Sequence, residues 1–74
     1  MKIYIAKTLI EGHHYNNCNV KLSTDVEEIK RYASNQIEVY ADTNAGRVTE
    51  KSDLKYVMVS NDLKVTIKIE EQEV

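Results

Sequence analysis

Apolar positions along this chain follow two rhythms, one of period two and one close to four. In residues 2–10, Ile3, Ile5 and Leu9 fall on one parity, and Tyr4, Ala6, Thr8 and Ile10 fall on the other. Apolar groups on both parities predict a strand in the interior of a sheet. Glu11 to Asn17, with Gly12 and two asparagines, reads as a loop. Cys18, Val20 and Leu22, alternating with Asn19 and Lys21, predict a second strand returning from it.

The period-four segment follows. Thr24-Asp25-Val26-Glu27 has the form of a capping box. In it the Thr24 hydroxyl accepts from the Glu27 amide, and the Glu27 carboxylate reaches back to the Thr24 amide. Val26, Ile29 and Ala33 make a narrow apolar stripe with Tyr32 at its edge, and the helix is expected to stop near Ser34-Asn35. Beyond it, Ile37, Val39 and Ala41 alternate with Glu38 and Tyr40 and predict a third strand. Residues 42–53 read as a polar connection in which Val48 and Thr49 can form a short strand.

Residues 56–60 and 63–70 flank Asn61-Asp62 as a hairpin. Leu63, Val65, Ile67 and Ile69 are expected inward, and Lys64, Thr66, Lys68 and Glu70 outward. A two-residue turn sets Met58 opposite Val65 and leaves Val57 and Val59 on the lysine face. A three-residue turn brings both valines to the core side instead, because a one-residue slip exchanges the faces. The acidic end, Glu70-Glu71-Gln72-Glu73, is expected to fray. The whole pattern predicts one α+β domain over residues 1–74. Its mostly antiparallel sheet has the order β-β-α-β-β-β, with one helix packed on one face.

Size sharpens this picture. A domain of 74 residues buries only about 60–65% of its unfolded surface, so a supplement to its core is expected. Cys18 is the sole cysteine, which excludes an intrachain disulfide. His13, His14 and Cys18 lack the second cluster that a tetrahedral zinc site needs. A homo-oligomer is therefore expected, with the surplus apolar pair Val57 and Val59, beside an outward Tyr4, as its interface.

Charge and patterning exclude several classes. Ten basic and twelve acidic residues give a net charge of −2, which is not the footprint of a nucleic-acid binder. Lys2 and Lys7 break the first apolar run, so no membrane span is expected. A lone thiol and the absence of a signal-peptide pattern point to the cytoplasm.

Three groups of residues have the chemistry to bind something. His13, His14 and Tyr15, next to Asn16, Asn17 and Cys18, combine groups that titrate near neutrality with hydrogen-bonding groups. Asn44-Ala45-Gly46-Arg47, followed by Lys51, places a turn beside two cations suited to an anion. Lys64 and Lys68, with Lys55 nearby, form an outward lysine row suited to phosphates, or else a device that protects an edge strand. No arrangement activates Cys18 as a nucleophile, and Glu27 and Glu28 point to different sides of a helix. No catalytic residue and no cofactor are expected.

The opening Met1-Lys2-Ile3-Tyr4-Ile5-Ala6, a hairpin, and then Leu22-Ser23-Thr24-Asp25-Val26-Glu27-Glu28-Ile29 resemble small accessory proteins encoded by bacteriophages of low-GC bacteria. The resemblance covers roughly the first 40 residues and carries over no catalytic residue. It implies a role in the bacterial host cytoplasm, binding and blocking a host enzyme, a defence factor or a signalling nucleotide. Two expectations follow. The first is a non-enzymatic protein that binds and inhibits a host protein by occlusion. The alternative is a homo-oligomer that sequesters a small nucleotide-like anion through His13, His14, Tyr15, Arg47 and Lys51.

Overall fold

A computed structural model describes residues 1–12 and 16–74. The elements are β1 (Lys2–Gly12), β2 (Asn16–Ser23), α1 (Val26–Thr43), β3 (Arg47–Lys51), β4 (Lys55–Val59) and β5 (Leu63–Glu73). All five strands join one antiparallel sheet in the order β2-β1-β5-β4-β3, and α1 lies across one face. This is the expected α+β fold with the expected order of elements. No helix among the described residues is long and apolar enough to cross a membrane.

The core forms between α1 and one face of the three inner strands. Ile29, Ala33 and Ile37 of the helix meet Ala6 and Ile10 of β1, Val65, Ile67 and Ile69 of β5, and Tyr56 and Met58 of β4. Leu63, Val65, Ile67 and Ile69 do point inward. Asn61-Asp62 makes the two-residue turn, so Met58 faces Val65 and Val59 faces Lys64. The Ser60 hydroxyl holds this turn by accepting from the amides of Asp62 and Leu63.

The helix differs from its sequence expectation at both ends. Its N-cap is Asp25, not Thr24: the Asp25 carboxylate accepts from the Glu27 amide at 3.0 Å, and the Ser23 hydroxyl accepts from the Asp25 amide. Nor does the helix stop at Ser34-Asn35, and residues 36–41 are not a strand. Ile37 continues the spacing of Ile29 and Ala33 and is fully buried, whereas Val39, which a strand would bury beside it, is 57% exposed. Both periods fit so short a run, and packing of Ile37, Tyr40 and Ala41 against the sheet decides between them. The weak helix propensity of Ser34 and Asn35 amounts to only a few tenths of a kcal/mol each.

The helix ends in a Schellman motif, with the Gly46 amide bonded to the Ala41 carbonyl at 2.9 Å and Ala45 at a φ of 53°. The long polar connection is therefore absent. Its first residues complete the helix, and Arg47 to Lys51 form the edge strand β3. The acidic end does not fray either. Glu73 pairs opposite Lys2 in the β1–β5 ladder, and Glu71 and Glu70 make ion pairs with Lys2 and Lys7 at 3.3 and 2.9 Å.

Candidate functional site

Antiparallel partners share a face of the sheet, so the ladder registers sort every strand residue. The face opposite the helix is uncovered by any other element of the described chain. Across it, Lys7 of β1 lies directly opposite Lys68 of β5, and Lys68 lies directly opposite Lys55 of β4. Three ammonium groups thus stand in one row on three adjacent strands. Lys64, four residues before Lys68 on the same face, extends the cluster. Together they border a groove of about 480 Å³ whose floor includes Leu9, Val57 and Thr66.

Carboxylates offset only part of this charge. Glu70 holds Lys7 at 2.9 Å, and Glu11 stands opposite Lys64 in the ladder. Among the described residues, no carboxylate lies within ion-pair distance of Lys68 or Lys55. Like charges directly opposite on adjacent strands destabilise a sheet. Edge protection does not account for them, because β1, β5 and β4 are the inner strands and the edges are β2 and β3.

Apolar groups flank the row. Leu9 and Leu22 are exposed on the same face, next to Cys18 and Ile5 respectively, and Val20 stands beside Lys7. No aromatic ring joins them among the described residues: Tyr4, Tyr32, Tyr40 and Tyr56 all pack on the helix side. The face therefore offers cations and aliphatic surface, without a stacking platform.

The other residues singled out in the sequence are scattered. His13, His14 and Tyr15 lie outside the described residues. Arg47 and Lys51 are both on β3, but the bulge between Val48 and Glu50 puts them on opposite faces. Arg47 stands beside Val59 on the open face, while Lys51 reaches the helix and binds Glu38 at 3.0 Å. The Gly46 amide is committed to the helix terminus. Arg47, Lys51 and the Gly46 amide therefore do not converge within one chain. The expected interface is divided as well. Val57 and Val59 are on the open face, Val57 only 7% exposed, while Tyr4 packs on the helix side in register with Ser23 and Glu71. Tyr4 is not outward beside the valines, because it shares its parity with the buried Ala6, Thr8 and Ile10.

The sequence shows Lys55, Lys64 and Lys68 as an outward row, but not Lys7 as its fourth member. The one sequence signal for it is its parity with Ile5 and Leu9. Its neighbour Lys68 is set by pairing of the first strand with the last, which no local pattern encodes. Comparison with family models, with curated proteins and with solved structures finds no match to this chain.

Proposed function

We propose that this protein is a non-enzymatic binding module whose open sheet face receives an acidic, amphipathic segment of a partner protein. The observation that carries this reading is the row Lys7–Lys68–Lys55 on the three inner strands. Such a row opposes folding, and an anionic partner would offset its self-repulsion. The aliphatic floor and flanks match a segment that alternates carboxylates with leucine-like side chains. The absence of aromatic rings from this face among the described residues favours carboxylates over nucleobases, which bind most strongly by stacking. Occlusion of a host enzyme or defence factor, the role implied by the N-terminal resemblance, is the biological form such binding would take.

The test is fluorescence anisotropy with three labelled probes: a peptide alternating Glu and Leu, a single-stranded oligonucleotide, and a nucleoside triphosphate. The expected result is saturable binding of the peptide alone, lost in Lys68→Glu and weakened by added salt. Preferential binding of the triphosphate would transfer the site to a small phosphorylated ligand. Binding of none of the three would overturn the reading.

A further inference from the structure

We infer that two copies of this chain associate through β2, pairing antiparallel about a two-fold axis at Val20. The inference is independent of what binds the lysine row. It starts from the unequal treatment of the two sheet edges. The β3 edge is five residues long, broken by a bulge, and charged at Arg47, Glu50 and Lys51. Each of these features hinders the addition of a further strand. The β2 edge is eight residues long, keeps an unbroken register against β1, and carries a single charge, Lys21. That ammonium lies 5.7 Å from the centre of the Tyr32 ring and is thus drawn toward the helix. Proline, another common guard, occurs nowhere in the chain.

The side chains of β2 complement themselves in one register. With the axis at Val20, that residue meets the partner's Val20, and Cys18 meets the partner's Leu22, all on the open face. On the helix face, Asn19 meets the partner's Lys21, and Asn17 meets the partner's Ser23. Apolar groups oppose apolar groups, and no like charges are directly opposed. A one-residue shift is excluded, because directly paired residues must share a face. An axis at Lys21 would set Lys21 against the partner's Lys21, and an axis at Asn19 would set Leu22 against the partner's Asn16.

The exposure of this strand agrees. Val20 and Leu22 are 63% and 59% exposed, although valine and leucine are usually buried. Pairing would join the Ile5–Leu22 and Leu9–Cys18 strips of both copies into one apolar band across the axis. The result is one continuous sheet of twice the width, with both helices on one side and both lysine rows on the other. A chain this short gains the additional buried surface that its own core lacks.

Sedimentation equilibrium of the full chain and of Val20→Lys tests the interface, with circular dichroism to verify the fold of the variant. The expected result is twice the single-chain mass for the unaltered chain, and at least tenfold weaker association for Val20→Lys. A single-chain mass for the unaltered protein at several hundred micromolar would overturn the inference, as would a dimer that persists in Val20→Lys.

Oxidation of single-cysteine variants tests the register. In a Cys18→Ala background, Val20→Cys should form a disulfide-linked dimer, because directly opposed strand residues lie within disulfide reach. Asn19→Cys should not, and neither should the native Cys18, whose copies would be offset by four residues. Linkage through Cys18 with none at Val20→Cys would disprove the Val20 axis.

Discussion

Gly46 approaches the backbone of Val59 so closely that a Cβ on it would lie 2.8 Å from the Val59 carbonyl oxygen and 2.7 Å from the Met58 sulfur. The glycine does not have a positive φ. Its role is to let the end of the helix close onto β4. Gly46→Ala should therefore destabilise the domain by roughly 2 kcal/mol, the scale of overpacking against atoms that cannot all move aside. A lowered urea midpoint with an unchanged slope is the expected observation.

The preceding residue gives the opposite sign. Ala45 occupies the left-handed position of the Schellman motif, with φ at 53°, where a side chain is strained. Ala45→Gly relieves that strain but adds freedom to the unfolded chain, for a net stabilisation of roughly 0.5 kcal/mol. A higher thermal midpoint checks it.

Two neighbouring residues distinguish the observed cap from the expected capping box. Asp25→Ala removes the acceptor for the Glu27 amide and should lower stability by about 1 kcal/mol. Thr24→Ala should change it by no more than about 0.3 kcal/mol, as Thr24 is an exposed surface residue. Chemical denaturation of both variants under one condition is sufficient.

Ile37 and Val39 test the second half of the helix. Ile37→Ala should cost about 2–5 kcal/mol, a large share of the roughly 4–11 kcal/mol available to a domain of this size. Val39→Ala should have little effect, because this side chain is largely in solvent. Comparable losses at both positions would instead match a strand with Ile37 and Val39 on one buried face.

Lys68→Thr should raise stability and weaken binding together. It removes the middle charge of three and substitutes a residue that suits a strand, which is worth about 0.5 kcal/mol. The same change should abolish the salt-sensitive binding of the acidic peptide. Improved folding with binding intact would assign the row no function.

Much of the architecture was legible in local pattern. The alternation of β1 and β5, the two candidate registers of the terminal hairpin and, to within one residue, the start of the helix follow from periodicity and turn residues. The helix end was not legible, because the run from Gln36 to Ala41 satisfies both periods, and only the sheet beneath Ile37 selects one. Polarity suggested a loop at residues 42–53, yet Arg47, Glu50 and Lys51 are polar because they lie on an edge strand.

The sequence by itself determined the alternating faces of β1 and β5 and the first half of the helix, since these depend on neighbours a few positions apart. Only the tertiary structure decided that β1 pairs with β5 and that the lysines stand on inner strands. It also decided that β2 is left as the unguarded edge. Those relationships join residues as far apart as Lys7 and Lys68. They depend on burying one continuous apolar face under one helix, a condition on the whole chain that no short segment carries.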